Sequence, residues 1–572
     1  MLLSEYLETV ASDAVRSALE LDAPPLLKPA DPEHGDYQLN AALPLAKRLK
    51  KAPRDIAAPI AEALLAHEAI ASAEVAGPGF INLRLDDAWV AGKLSAMVDD
   101  TARDGVPVVT NKQTVVIDFS SPNIAKQMHV GHLRSTIIGD SLCRLQRFVG
   151  HEVIGDNHIG DWGTQFGLLI VGMREFGNTG ALEGEPIDEL ERVYKLASAK
   201  AKEDEAFADG ARAELAKLQQ GDVDNHRLWE MFIAATRKGL DRVYARMDIH
   251  FDQWLGESAY QEQLGPVVDT LLDKGIARED QGAICVFFEE HKELKKQKTP
   301  FIVRKRDGAF LYSTTDIATV QHRRKEFGAD RCIYVVDRRQ ALHFKQLFAV
   351  MEMLGEDMTL EHVGFGTVMG TDGKPLKTRD GGVIKLADLL DEATRRAAER
   401  IAEGEVEYDA QQLAQLSEVV GVGAVKYADL RQNRTSDYVF DWDKLVSFKG
   451  NAGPYLQYAH ARVQAIFRRG EIDATSLAGT EVTLDAPAEQ ALGRQLLRFA
   501  DVVHHAAATN QPHLVCDHVY ELSRAFSVFF EQCPVLKAEG EVRASRLALC
   551  WLVARQLQRG LGLLGIHAPD RM

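Results

Sequence analysis

Residues 114–155 constrain the fold of this chain more than any other stretch. An apolar run of strand character, Thr114-Val-Val-Ile-Asp-Phe119, leads into a polar loop, Ser120-Ser-Pro-Asn-Ile-Ala-Lys-Gln-Met-His-Val-Gly-His132. Beyond it Leu133, Ile137, Ile138, Leu142, Leu145 and Phe148 recur at the three-to-four spacing of a buried helix face. After Gly150, His151-Glu-Val-Ile-Gly155 reads as a second strand. The unit is βαβ, which calls for a parallel sheet covered by helices. Its loop sets two histidines and a glycine at a helix N-terminus, where backbone N–H groups lack intrahelical partners and roughly +0.5 charge accumulates. Such an end binds phosphate. Two imidazoles there can donate hydrogen bonds to a triphosphate attacked at its α-phosphorus. His-x-Gly-His alone is short enough to arise by chance, and the strand before it and helix after it make it informative.

The 572 residues leave room for about three to five domains around a large core. No apolar run is long enough to span a membrane, and Glu5 and Glu8 stand where a signal peptide would be basic and then apolar. The expected location is the cytoplasm, with no membrane partner. Six scattered cysteines without a Cys-x-x-Cys spacing imply neither structural zinc nor a disulfide framework. A net charge of −17 argues against coating nucleic acid by bulk electrostatics. From Asn451 to Met572, however, 12 cations balance 12 anions and 11 of the cations are arginine, the better shape for forked phosphate contacts and stacking.

Three regions follow from the patterning. Residues 1–110 form a small α+β module, with helices near 6–21, 41–51 and 54–66 and a strand near 79–85. Residues 111–385 alternate strands (near 114–119, 152–157, 284–288, 310–312, 332–337 and 363–369) with helices, as a doubly wound parallel sheet requires, with a helical insertion near 187–246. After Leu386 every long segment is helical: 386–403, 412–430, 455–469, 487–508, 516–531 and 542–564. Residues 386–450 read as a linker and 451–572 as an α-helical bundle.

An open α/β sheet binds its ligands at strand ends, and three of those ends are polar. They are the loop after Phe119, the segment Phe310-Leu-Tyr-Ser-Thr-Thr-Asp316, and Ile333-Tyr-Val-Val-Asp-Arg-Arg-Gln340. Asp316 falls in the expected first turn of a helix, where a carboxylate is favoured in any case. Aimed into the cleft, it would best pair with a planar guanidinium. A fourth element, Thr367 to Gly382, is glycine-rich and carries Lys374, Lys377 and Arg379, suiting a loop that closes on polyphosphate.

At these residues the chain resembles a known family. His129-Val-Gly-His132 is similar to the HIGH signature of class I aminoacyl-tRNA synthetases, and 367–382 to a degenerate KMSKS loop. Longer strings resemble the arginyl-tRNA synthetases of bacterial type: Ser121 to Ser135, His158-Ile-Gly-Asp-Trp-Gly-Thr-Gln-Phe-Gly167, Asp372-Gly-Lys-Pro-Leu-Lys-Thr-Arg379 and Tyr455-Leu-Gln-Tyr-Ala-His-Ala-Arg462. Gly35-Asp-Tyr37 and Gly77-Pro-Gly-Phe-Ile-Asn82 extend the likeness to the N-terminal module. The resemblance implies a Rossmann-type catalytic domain that joins L-arginine to tRNA(Arg) through an arginyl-adenylate. ATP would be a substrate, Mg²⁺ would arrive with it, and transfer would go to the 2′-hydroxyl of the terminal adenosine. The family generally needs bound tRNA even for the first step, and the enzyme is expected to be a monomer.

By the same resemblance Ser121, Asn123, His132, Tyr312, Asp316 and Gln340 would hold arginine, with Glu257 a further candidate. His129, Gly131, His132, Lys374, Lys377 and Arg379 would hold ATP. Aligned through the glycines, Thr378 takes the place of the second KMSKS lysine; aligned by spacing, Lys374 and Lys377 fill both lysine positions. Both registers stay open. Most of the family are thought to use a lysine just upstream of HIGH, here Lys126, so the expected phosphate cation is Lys126 with Lys377 assisting. Phe80 and Asn82 match positions that contact the tRNA elbow. Tyr455, Tyr458 and Arg462 share one helix face and could stack splayed anticodon bases. The rival readings are a cytidylyltransferase, which would be shorter and lack the bundle, and a catalytically silent RNA-binding relative, which would have lost a histidine or Asp316.

Overall fold

The computed structural model describes residues 1–572 apart from Pro32, Thr179, 377–382 and Glu405, and apart from the side chain of Glu183. The N-terminal stretch comprises α1 (Leu3–Leu19), β1 (Leu27–Pro29), β2 (Tyr37–Leu39), α2 (Ala42–Leu49), α3 (Pro53–Leu65), β3 (Ile70–Ala76), β4 (Phe80–Leu85) and α4 (Asp87–Asp99). Its strands pair antiparallel in the order β1-β2-β4-β3. The sequence pattern points to β4 alone, because β1 and β2 have three residues each and show no alternation.

The central part runs β5 (Thr114–Asp118), α5 (Val130–Val149), β6 (Glu152–Asp156) and α6 (Gln165–Phe176). The insertion follows as α7 (Ala181–Gly184), α8 (Pro186–Glu203), α9 (Glu205–Gln219) and α10 (Val223–Arg246), which with α6 enclose a small core around Phe166, Leu190, Val193 and Phe232. Then come α11 (Gln261–Asp273), β7 (Ala277–Asp280), β8 (Ala283–Val286), β9 (Phe301–Arg304), α12 (Tyr312–Phe327), β10 (Arg331–Tyr334), α13 (Ala341–Leu354), β11 (Thr359–His362) and β12 (Val368–Met369). The parallel sheet has the order β11-β10-β5-β6. Winding reverses between β5 and β10. Helix α5 packs on the face carrying Val115, Ile117 and Ile333, while α11 to α13 cover Val116, Cys332 and Tyr334 on the other. The sheet is therefore doubly wound, and its ligand crevice lies at the C-terminal ends of the strands flanking the reversal.

Three expected strands of this sheet fall elsewhere. The 284–288 run belongs to a separate antiparallel sheet, β7-β8-β9. Residues 310–312 are not a strand, since Phe310 only bridges Arg304 and Tyr312 already opens α12. In 363–369 Phe365 makes a single bridge to Asp337, and only Val368 and Met369 form a strand, pairing with Tyr438 and Val439. A short apolar run carries no sign of which neighbour it will meet.

The remainder is helical: α14 (Leu386–Ala402), α15 (Ala410–Leu430), the short strand β13 (Tyr438–Val439), α16 (Trp442–Leu445), α17 (Gly453–Gly470), α18 (Pro487–Leu497), α19 (Phe499–Thr509), α20 (His513–Gln532) and α21 (Gly540–Leu563). The single helix expected over 487–508 is two, broken at Arg498 with neither proline nor glycine to mark it.

Helix α5 is the hinge of the arrangement. His129 caps it, and it ends where Gly150 takes a left-handed φ of 109°. Leu133, Ile137, Ile138, Leu142, Leu145 and Val149 are all buried, contributing about 1.5–3 kcal/mol each before entropy is counted. A Cβ at Gly139 would collide with the Phe119 ring, so glycine allows the helix to lie close on the sheet. On the far side, Ser141 Oγ donates to Leu563 O (3.0 Å) and Gln146 Nε2 to Ala507 O (2.8 Å), tying the helix to α21 and α19. One apolar core runs from Leu3 to Ala568 through all three regions.

Candidate active site

The loop between β5 and α5 is strained. Ser120, Ser121 and Ala125 all have positive φ (73°, 46° and 61°) without being glycine, a conformation that costs energy and is retained where position matters. Ser120 N donates to Ser135 Oγ (2.8 Å), while Ser121 N donates to Asn157 Oδ1 and its hydroxyl to Asp118 Oδ1 (3.1 Å each). Asn123 is exposed and bridges Gly160, where a Cβ would strike the Asn123 Oδ1.

The backbone donors at the α5 N-terminus are not free, contrary to expectation. His129 N donates to His132 Nδ1 (3.2 Å), Val130 N to Ile384 O (3.1 Å), Gly131 N to His129 Nδ1 (3.0 Å) and His132 N to His129 O (2.8 Å). What remains for a phosphate are the rings. Each Nδ1 accepts a backbone N–H, so in the neutral imidazole the proton sits on Nε2 and points outward as a donor. Both rings are held neutral: burial lowers the His129 pKa, with Lys126 adding to it, and burial with the His129 and Lys126 charges takes His132 down to about 3. The rings pack with centroids 4.0 Å apart. Gly131 is required there, because a Cβ would sit 2.6 Å from His129 Cε1.

Lys126 is exposed and has no ion-pair partner among the described residues. The segment after Val368 turns back as a hairpin, with Gly370 N donating to Lys374 O and Leu376 N to Val368 O. Lys374 lies exposed at its tip. The chain returns at Ile384 and Lys385, which pair with Val130 and His129 beside the histidine turn. Lys377 and Arg379 lie outside the described residues.

Across the crevice, Ser313 and Thr314 hydroxyls donate to the carbonyls of Ile302 and Val303 and fix the start of α12. Asp316 is the fifth residue of that helix, past its first turn, so helix-end stabilisation does not account for it. Its Oδ2 meets His343 Nε2 at 2.6 Å. Tyr312 is 66% exposed with its ring edge against His343, and Gln340 is exposed in the turn after β10. Glu257 opens the turn before α11, and its N–H donates to the carbonyl of Ile159, in the loop after β6. Burial raises its pKa to about 7; His158 opposes the shift, and Asp161 and Asp316 add to it. Glu257 and Asp316 thus share one electrostatic neighbourhood, an acidic one suited to a cation.

Several residues of this crevice were given no role by the sequence. His158 lies with Asp118 and Asp156 in a cluster whose ligand atoms fall within 4.8 Å of one another. A cation already serves it: the buried Arg323 Nη2 meets Asp118 Oδ2 at 2.6 Å and Asp156 Oδ2 at 2.7 Å. His343 and Arg323 sit in helices opposite partners distant in sequence, and only the folded chain reveals them.

The RNA-facing candidates divide between two faces. Phe80 and Asn82 lie on the same side of β4, with Asn82 Oδ1 accepting from Gln38 Nε2 at 2.9 Å. Tyr455, Tyr458 and Arg462 share the outward face of α17, where Tyr455 packs edge-on to Tyr520 and Arg462 lies 4.7 Å over the Phe530 ring. Tyr520 and Phe530, from α20, enlarge that aromatic surface beyond the expected three residues.

A doubly wound sheet with paired neutral histidines at the mouth of its reversal point, facing an acidic cleft, defines an enzyme that activates a substrate on a nucleotide. Residues 94–442 match the family of class I tRNA synthetases (R), catalytic domain; residues 456–572 match the DALR anticodon binding domain; residues 2–85 match the arginyl-tRNA synthetase N-terminal domain. The chain belongs to the arginyl-tRNA synthetase family. It is 44% identical to the arginine–tRNA ligase of Laribacter hongkongensis over 579 residues, covering 100% of both chains. It is 46% identical to that of Idiomarina loihiensis, covering 95% of this chain and 94% of the other. The arginyl-tRNA synthetase structure from Plasmodium falciparum superposes with a TM-score of 0.85 at 29% identity, covering 100% of this chain and 99% of that one. Among the described residues no helix is long and apolar enough to cross a membrane.

Proposed function

We propose that the protein joins L-arginine to tRNA(Arg) at the expense of ATP. The arginine carboxylate attacks the α-phosphorus, forming arginyl-adenylate and releasing pyrophosphate. The 2′-hydroxyl of the terminal adenosine then attacks the acyl carbon and AMP leaves. The pairing of two outward Nε2–H donors with the Glu257 and Asp316 carboxylates across one crevice is the observation that carries this reading.

In this scheme His129 and His132 donate to the phosphate oxygens as charge builds on them. Lys126 supplies the main cation, with Lys377 assisting, and Lys374 and Arg379 hold ATP beside the ring that Gly131 leaves room for. Mg²⁺ would arrive with the nucleotide and supply further positive charge against the phosphates. Ser121, Asn123, His132, Tyr312 and Gln340 orient the amino acid, while Asp316 and Glu257 take its guanidinium. A site built on such paired hydrogen bonds rejects a substrate lacking them by roughly 10⁴-fold or more, which excludes lysine without an editing domain.

Residues 1–110 would read the tRNA elbow through Phe80 and Asn82. Residues 111–385 perform catalysis, 386–450 contact the stem, and 451–572 hold the anticodon through Tyr455, Tyr458 and Arg462. The enzyme would work as a cytoplasmic monomer. Arginine-dependent pyrophosphate exchange and charging, with and without tRNA(Arg), test the assignment. Arginine-specific exchange and charging with the tRNA present are expected, and their absence would overturn the reading.

A further inference from the structure

Arg134 has no part in the scheme above, yet it is 2% exposed two residues beyond His132. Its Nε lies 3.2 Å from an Asp429 oxygen on α15, and Asp429 is itself fully buried. Its Nη1 donates to Ser436 O at 3.0 Å, and the guanidinium lies 5.3 Å over the Tyr438 ring. Tyr438 hydroxyl closes the cluster by donating to Asp429 Oδ2 at 3.2 Å.

The chain around Tyr438 also holds the hairpin. β13 pairs with β12, Val368 opposite Tyr438 and Met369 opposite Val439, with Phe440 N donating to Met369 O at 2.9 Å. Asp437 accepts from Thr367 N at 2.6 Å and from Arg338 Nη2 at 2.7 Å, two residues before Gln340. Arg134 therefore ties the helix that begins at the histidine turn to α15 and to β13, the strand that pairs with the one carrying the hairpin. A buried ion pair is a poor device for stability, since an apolar pair of similar size serves as well. Arg134 Nη2 also has no acceptor among the described residues. What a planar, forked cation gives instead is fixed geometry.

We propose that Arg134 is a positioning residue for adenylate formation, setting the separation between the His129–His132 turn and the 367–376 hairpin. The inference rests on the function proposed above. A misplacement of about 1 Å between reacting groups can cost ~100-fold in rate. In the full-length protein with saturating tRNA(Arg), Arg134→Met should lower kcat for pyrophosphate exchange ~100-fold while the KM for arginine stays within about twofold. Arg134→Lys, which keeps the charge facing Asp429, should recover about tenfold of that loss, and Tyr438→Phe should lower kcat about fivefold.

A purely structural role would lower the melting temperature and leave kcat and KM of the folded protein unchanged, and that result would overturn the proposal. So would a KM for arginine that rises in step with the fall in kcat. Should Arg134→Met fail to fold, Arg134→Lys and Tyr438→Phe decide: wild-type kcat in both refutes the role. Wild-type protein without arginine-dependent exchange would instead sink the function itself, so the two failures are distinguishable.

Discussion

Asp316 Oδ2 lies 2.6 Å from His343 Nε2, with both side chains only 22% exposed. The carboxylate is thus oriented before any substrate enters, with its second oxygen left for a guanidinium. Asp316→Ala should raise the KM for arginine about 100-fold, the cost of removing one partner of a charged, partly desolvated pair. The KM for ATP should stay within about twofold. Steady-state exchange at varied arginine measures this, and a wild-type KM would remove Asp316 from the pocket.

With Glu257 in the role proposed for it, arginine binding should depend on pH. Burial raises its pKa to about 7 in the free protein, so the carboxyl is protonated below that pH and ionised above it. A guanidinium binds the ionised form. The KM for arginine should therefore be flat above about pH 8 and rise toward tenfold per unit as pH falls below 7. Glu257→Gln should show a raised KM with this dependence removed. A parallel slope in wild type and variant between about pH 5.5 and 8 would assign the titration elsewhere.

Lys126 sits where its charge lowers the pKa of both histidines, and it would face the phosphates those rings contact. Lys126→Ala should slow single-turnover adenylate formation by about two decades or more, with little change in arginine affinity. An unchanged rate would transfer the role to Lys377.

The aromatic face of α17 and α20 makes a separable prediction. Tyr458 is 45% exposed, and loss of one stacked base costs about 1–3 kcal/mol. Tyr458→Ala should raise the KM for tRNA roughly 5- to 100-fold and leave the KM for arginine unaltered. Equal charging efficiency would show that the tyrosine only roofs the bundle.

Much of this architecture was readable in one dimension. Helix α5 announces itself through its periodic leucines and isoleucines and its closing Gly150, and the bundle helices do likewise. The break at Arg498 was invisible because no helix-breaking residue marks it. Strands β8 and β9 are as apolar as β10, and nothing local says that they pair with each other rather than with the parallel sheet. Within the site, His129, His132 and Asp316 stood in motifs. His343 and Arg323 did not, and Arg134 stood in one without a visible role, because their meaning lies in partners 27, 205 and 295 positions away. The occupied backbone donors at the start of α5 could not be foreseen either, since Ile384 reaches Val130 only in the folded chain.

The apolar core that joins Leu3 to Ala568 has a consequence for damage and repair. The N-terminal module, the α5 face of the sheet and the bundle share this interior, so heat should melt these parts together rather than peel them away in turn. A lesion deep in the bundle, such as a cavity at Leu561 or Val519, would loosen the same interior that α5 packs into. The product would be a protein that loses adenylation together with tRNA selection, not one that still activates arginine while blind to its RNA.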